Sequence, residues 1–533
     1  MERPLRSSRR RAVGWSAIAA VTAVVVAACS PGLSPGAAQG LPSDIKDVME
    51  SPQYANSRWG LMTYDFKTGK PDLVMNERQF FIPASTTKLF SMSAAWNTFG
   101  PDHRFTTPVY RQGAVAGGNL TGNLVLVASG DLTMGGRTKA DGQTVDFTNL
   151  DHADANAIPG ATLTPENPLA GIDIIAKQVK DSGVTHVSGD VVIDDRLFKI
   201  DRAQNPETPT SPIIINDNLI DMVSTPTAVG QPATLDYRPH SSAFTVTSKV
   251  TTVAAGGKAE VKSTLVAPGQ IELTGQVPMG ISPPLLHVFQ IEDPAAYART
   301  ILIDALKRAG VTVDAPATGA NPANKLPAPK SYAPGDQVAA YISPVYSEYV
   351  KLVLKVSLNL GANLAVCLLA ANAGSTDCLD GLPAEQAVLR DVMKVPVGQL
   401  VFNDGQGASQ SDLATPNAAI QLLKWWQGRP DFARFRASLP ILGRDGSLAM
   451  VVPDSPAAGH VQAKTGTLAA GDELNQRLIL PSKALGGYID TSNGKLLAFY
   501  LVVNNVPATS INDVLVVNND LGKIAARLWG PKG

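Results

Sequence analysis

Pro83-Ala84-Ser85-Thr86-Thr87-Lys88-Leu89 opens an apolar run, Leu89, Met92, Trp96 and Phe99, that stops at Gly100. The spacing predicts a helix with Ser85 in its first turn and Lys88 on the same face one turn on. A hydroxyl and an amine so placed make an activated nucleophile. A neutral lysine takes the serine proton, and the positive end of the helix favours the alkoxide that forms. Alone, Ser-x-x-Lys says little, because Ser43-Asp44-Ile45-Lys46 and Ser492-Asn493-Gly494-Lys495 repeat it and such a pair is usually a solvated surface feature. The rest of the chain has to single Ser85 out.

Two short motifs follow in chain order. Ser357-Leu358-Asn359 joins the helical pattern Ser347–Leu360 to a second one, Gly361–Ala371. Lys464-Thr465-Gly466-Thr467 ends a strand-like run that begins at Val461. Acyl transfer needs a nucleophile, a proton relay to the leaving amine and donors for an oxyanion. Ser85 and Lys88 supply the first two. Ser357 offers a second hydroxyl to pass a proton on, and Asn359 can orient Lys88 or a substrate amide. Lys464 brings positive charge, Thr465 and Thr467 bring hydroxyls for a terminal carboxylate, and Gly466 would let a substrate backbone lie close to the strand. Ser510-Ile511-Asn512 and Lys67-Thr68-Gly69 mimic the later motifs. The second of these reads as a hairpin turn behind Asp65.

The chain has 533 residues, too many for one ordinary core, and its 44% hydrophobic and 17% charged fractions are those of a globular protein. A net charge of −1 does not recommend a nucleic-acid partner. The six histidines show no ligand spacing with other metal-binding residues, so neither a metal nor another cofactor is expected. Arg9-Arg10-Arg11, the apolar run Ala12–Ala28 and Val26-Ala27-Ala28-Cys29 have the pattern of an export signal ending in a lipobox. Residues 1–28 are therefore expected to be removed and Cys29 lipidated, with 29–44 as a tether and the rest on the outer face of the cytoplasmic membrane, in the cell-wall space. There Cys367 and Cys378 either form a bridge, which the exported setting favours, or remain two buried thiols.

Strands are expected near both chain ends: Arg58–Phe66 with Leu73–Met75, and Leu485–Asp490 with Lys495–Asn504 across Asn493-Gly494. With helices around them they make an α/β domain of residues 45–107 and 335–533 that shares one core. Residues 108–334 read as an inserted region of mixed β and α, built as two nested sub-domains. It contains a Val/Thr-rich all-β stretch over 227–275 and a helix over 295–308 capped by Asp293-Pro294. Residues 321–334 read as a second linker.

On these residues the chain resembles the class C low-molecular-mass penicillin-binding proteins, the D-alanyl-D-alanine carboxypeptidase/endopeptidase family. The resemblance is carried by Phe81–Leu89, Gly130-Asp131, Asn216-Asp217-Asn218, Ser343-Pro344, Asp404-Gly405-Gln406-Gly407 and Pro456–Thr467, along nearly the whole mature chain. That family interrupts its penicillin-recognising domain, an antiparallel sheet flanked by helices, with a large insertion between the first two motifs. Here 272 residues separate Ser85 from Ser357. A class A β-lactamase would have a far shorter gap and a deacylating Glu, for which Glu385 lies in the wrong context. The resemblance implies that Ser85 is acylated, Lys88 is its base, Ser357 and Asn359 relay protons, and Lys464, Thr465, Gly466 and Thr467 hold the substrate. Backbone N–H groups of Ser85 and Thr467 would form the oxyanion hole. Peptidoglycan stem peptides would be substrates and β-lactams acylating inhibitors. Three departures are Leu358 where a small polar residue is usual, Asn363 where an acid often follows, and Asn475–Ala484, read as an added loop after Thr467. They keep a second expectation open, a catalytically weak peptidoglycan-binding lipoprotein scaffold of the same fold.

Overall fold

The computed structural model describes residues 40–202 and 209–530. The expected export segment 1–28, Cys29 and most of the tether lie outside the described residues.

Both ends of the chain build one antiparallel sheet, in the order Val461–Asp472, Arg477–Asp490, Leu496–Asn504, Arg58–Asp65, Lys70–Met75. Strand Arg58–Asp65 pairs with Leu496–Asn504 from Arg58↔Asn504 to Asp65↔Leu497. The alternation along the second of these strands shows a sheet buried on both faces. Ala498, Tyr500 and Val502 join the core under helix Lys88–Phe99, with Leu89, Met92 and Trp96. Phe499, Leu501 and Val503 join a second core under helices Ser43–Met49 and Ile511–Trp529, with Ile45 and Ile524. The Lys67-Thr68-Gly69 decoy is a hairpin turn, with Lys67 and Thr68 donating N–H bonds to the Asp65 carboxylate.

Of the expected loop over Asn475–Ala484, only Asn475 and Gln476 lie in a turn; from Arg477 on it is part of the long strand Arg477–Asp490. Its Pro481, which argues against a strand in sequence, sits where the ladder shifts: Leu468 faces Ser482, then Ala470 faces Ile479. Proline is tolerated at that irregularity because no ladder hydrogen bond is asked of it.

The intervening segment has its own sheet, in the order Thr312–Val313, His186–Val187, Asn119–Val127, Thr106–Ala116, Gln337–Ile342, with Val191–Asp194 beside Asn119–Val127. Helices Ala170–Asp181 and Pro294–Arg308 contribute to its core, the latter capped as expected by Asp293 on the Ala296 N–H. Two three-stranded sheets complete it, one around Leu219–Thr225 and one around Gln270–Pro278. Because Thr106 pairs with Ile342, this sheet reaches beyond 108–334 at both ends. Residues 321–334 are a strap rather than a free linker. Asn321 bonds Ile193 through both its amide groups, Lys325 pairs with Asp190, and the Tyr332 hydroxyl donates to Asp194.

One cluster in this segment is almost wholly buried. Arg137 donates two bonds to Asp151 and one to Asp217, and His152 lies between Asp217 and Asp221. Asp151, His152 and Asp217 are close enough to share an ion, but Arg137 occupies the place a cation would take. Burial works against the His152 charge, yet Asp221 and Asp217 outweigh it and raise the imidazole to about 10. Cys367 and Cys378 are joined, tying helix Asn359–Asn372 to the turn Cys378–Asp380.

Candidate active site

The Ser85 stretch folds as a short 3-10 turn, Ala84–Thr87, that runs directly into helix Lys88–Phe99. Ser85 thus precedes the first α turn rather than lying within it, and it still faces Lys88. Two backbones press on this turn. A Cβ on Gly466 would stand 2.6 Å from the Pro83 carbonyl oxygen, and one on Gly407 would stand 2.0 Å from that of Ala84. Gly466, expected to make room for substrate, also makes room for the Ala84–Thr87 turn. Thr86 is fixed beneath by bonds to the Pro83 carbonyl and the Tyr500 hydroxyl.

Helix Tyr346–Val356 ends at Ser357, which takes a left-handed conformation (φ 63°). Leu358 is extended, and helix Asn359–Asn372 starts at the next residue. This break sends two side chains, two residues apart, to different lysines. Asn359 Oδ1 accepts from Lys88 Nζ at 2.7 Å, and Ser357 Oγ accepts from Lys464 Nζ at 2.8 Å. Leu358 turns into the hydrophobic core and is buried, so its departure from a polar residue replaces no contact with either lysine.

Lys88 Nζ also donates to Ser85 Oγ and to the Gln406 carbonyl, both at 2.8 Å. Lys88 and Lys464 are wholly buried, whereas Ser85, Ser357 and Asn359 are half-exposed and Thr467 is exposed. The lysines thus lie behind more exposed polar groups. Burial pulls Lys88 down to about 7, against the opposing pull of Asp404 and Asp154. Burial and the neighbouring Lys88 hold Lys464 well below the usual lysine range.

On the strand side, Thr465 shares a 2.7 Å hydrogen bond with Ser447, and Thr467 Oγ1 accepts from Lys483 Nζ at 2.7 Å. Lys483 is itself pushed down to about 7 by burial. The eight residues singled out in sequence, Ser85, Lys88, Ser357, Asn359, Lys464, Thr465, Gly466 and Thr467, thus form one continuous site. Glu385 is not among them. It is buried on helix Gly381–Ala387, where burial, then Asp412 and Asp404, raise it to about 8.

Several contributors have no counterpart in the motifs. Lys483 falls in the stretch first read as a loop. Asp154 comes from the inserted segment and lines a cavity of about 290 Å³ with Asp217, Leu358 and Asn359. Burial and Asp151 raise it to about 6, while Lys88 and Lys464 pull the other way. Gln406 acts through its backbone, in the Asp404–Gly407 stretch that the resemblance already marked out.

Among curated proteins, the chain is 27% identical over 537 aligned residues to a D-alanyl-D-alanine carboxypeptidase of Actinomadura sp. (strain R39), covering 94% of this chain and 89% of that one. It is 25% identical to penicillin-sensitive carboxypeptidase A of Dictyostelium discoideum, over 87% of each. Its fold matches that of penicillin binding protein 4 from Haemophilus influenzae, with a TM-score of 0.67 at 18% identity, over 91% of this chain and 99% of that one. The model of the D-Ala-D-Ala carboxypeptidase 3 (S13) family matches residues 41–527, nearly all of the described chain, and to that family this protein belongs.

Proposed function

We propose that this serine D-Ala-D-Ala carboxypeptidase works through an acyl-enzyme on Ser85. Neutral Lys88 takes the Ser85 proton as Oγ bonds to the penultimate D-Ala carbonyl carbon of a stem peptide. The N–H groups of Ser85 and Thr467 receive the oxyanion. The C–N bond then breaks, and the proton that Lys88 took passes through Ser357, whose hydroxyl Lys464 holds, to the leaving nitrogen, which leaves Lys88 neutral again. Water hydrolyses the ester and returns a proton to Ser85 Oγ. A peptide cross-link in place of the terminal D-Ala would be cleaved by the same steps. Lys464, Thr465 and Thr467 receive the carboxylate of the leaving residue, with Lys483 behind Thr467. Penicillins acylate Ser85 as substrate mimics.

The observation that carries this reading is the contact of buried Lys88 with both Ser85 and Asn359, with its proton affinity brought near neutrality. A base whose pKa lies near the working pH is available without a metal or a histidine. Labelling with a fluorescent penicillin, with release of D-Ala from a pentapeptide ending in D-Ala-D-Ala, tests it. Ser85→Ala should abolish both. Persistent labelling of that variant would overturn the assignment.

The N-terminal pattern supports a further proposal, that residues 1–28 are cleaved and Cys29 carries the lipid that holds the enzyme at the membrane. Feeding cells an alkyne-bearing fatty acid should tag the intact protein and leave Cys29→Ala unlabelled.

A further inference from the structure

Lys88 contacts three neutral acceptors: Ser85 Oγ, Asn359 Oδ1 and the Gln406 carbonyl. A neutral amine has two N–H bonds and one lone pair. If Asn359 and Gln406 take the two N–H bonds, the lone pair has one direction left, towards the Ser85 hydroxyl. Asn359 sits at the start of a helix and is fixed by it. The Gln406 carbonyl lies on a loop, so something else has to fix it.

Asp404 does so. Its Oδ1 accepts the N–H of Gln406 at 2.9 Å and that of Gly407, and its Oδ2 accepts those of Ala408 and Ser409 at 3.2 and 3.1 Å. The loop is wound around one buried carboxylate. Its neighbours leave it no slack. A Cβ on Gly405 would stand 2.6 Å from the Ala362 carbonyl oxygen, and Gly407 abuts Ala84 beside the nucleophile. Ser91, one turn after Lys88, donates to the Gly405 carbonyl at 2.8 Å, and Gly405 donates to Asn363. Asn363, where the resemblance leads one to expect an acid, thereby ties the loop to the helix of the second motif.

We propose that Asp404 is a positioning residue for the general base, winding residues 405–409 so that the Gln406 carbonyl takes one N–H of Lys88 and leaves its lone pair to Ser85. This rests on the reading of Ser85 and Lys88 given above. Asp404 also places negative charge near Lys88. The other charged groups acting on this lysine are Asp154 and Lys464, and Asp412 and Glu385 stand near Asp404 itself.

The test is the rate of acylation by a fluorescent penicillin from pH 5 to 9. The full chain is used, comparing the unaltered enzyme with Asp404→Asn, Ser91→Ala and Ser85→Ala. Asp404→Asn should label to the same final extent, with its plateau rate lower by on the order of 10²-fold, the cost of a catalytic group displaced by about 1 Å. The midpoint of its pH profile should move to lower pH, because loss of the carboxylate disfavours the ammonium form. A plateau and midpoint equal to the unaltered enzyme's would overturn the proposal. So would a reduced final extent with rate and midpoint unchanged in the labelled fraction, the signature of a purely structural role. Should Asp404→Asn fail to fold, Ser91→Ala decides. It should slow acylation severalfold, and an unchanged rate sinks the idea. Labelling of Ser85→Ala would instead refute the nucleophile assignment, whatever Asp404 does.

Discussion

Gly466 passes so close to Pro83 that a methyl group on its Cα would stand 2.6 Å from the proline's carbonyl oxygen. The neighbour is backbone and cannot swing aside. Gly466→Ala should therefore push the nucleophile turn away from the strand, at a stability cost of about 1–3 kcal/mol, as for other overpacked sites. Acylation should slow by at least about tenfold, the equivalent of 1.4 kcal/mol on the barrier. Penicillin labelling kinetics and urea unfolding measure the two effects separately.

Lys88 sits near neutrality, so the acylation rate should rise with pH through about 7 as the ammonium becomes an amine. Lys88→Met, of similar volume, should lower the rate by ~10²–10⁴-fold and abolish this rise. A rate that stays flat from pH 5 to 9 in the unaltered enzyme would contradict a lysine base.

Lys483 makes a different pH prediction. Folding brings its amine down to about 7 from an ordinary value near 10.5. Between those values the unfolded chain holds a proton that the folded chain has lost, so this group's contribution to stability rises with pH. Lys483→Met should consequently be most favourable to stability, relative to the unaltered protein, at pH 7 and below, with the advantage shrinking towards pH 10. Denaturation midpoints at several pH values check the slope. The same variant leaves Thr467 without its donor and should raise KM for a D-Ala-D-Ala peptide.

Arg137 is 1% exposed and balances Asp151 and Asp217. Replacing it with methionine would leave Asp151 without its counter-ion and Asp217 with His152 alone, at a cost of about 3–5 kcal/mol. Asp151 accepts the Ala153 N–H at the start of the turn that carries Asp154, so the loss should be felt in the cleft as well. Proteolysis of the inserted segment at lower protease concentration is the expected readout.

The Cys367–Cys378 bridge closes a loop of 11 residues. Its removal by double alanine substitution should destabilise the protein by about 2–3 kcal/mol, the range for short loops. Acylation should persist at 25 °C, because none of the hydrogen bonds that hold Ser85, Lys88 and Asn359 together involves the bridge.

The three motifs were legible because each carries its chemistry in side chains and sits on a local pattern that places it: a helix start, a helix break and a strand. Leu358 was legible as a departure but not as a core residue, because only the break at Ser357 turns it inward. Lys483 was missed for a definite reason. Pro481 interrupts the run between Leu480 and Ala484 in sequence, and the ladder irregularity that admits a proline is a property of two paired strands. Asp404 acts through backbone N–H groups, which every residue has, so its identity alone did not announce its part. The placing of Asp154 in the cleft depends on buried ion pairs such as Arg137–Asp217, which join positions 80 residues apart.

The pairing of Arg58–Asp65 with Leu496–Asn504 also sets an order of assembly. During synthesis the first strand waits for a partner made far along the chain, at Leu496–Asn504, and the Ala84–Thr87 turn waits for Gly466. The segment between need not wait. Its own strands bring Thr106 beside Ile342, which shortens the chain that the final closure has to span and lowers its entropic cost. The interruption can thus serve as a folding clamp, and the turn that carries Ser85 stays unassembled until Gly466 and strand Leu496–Asn504 have been made.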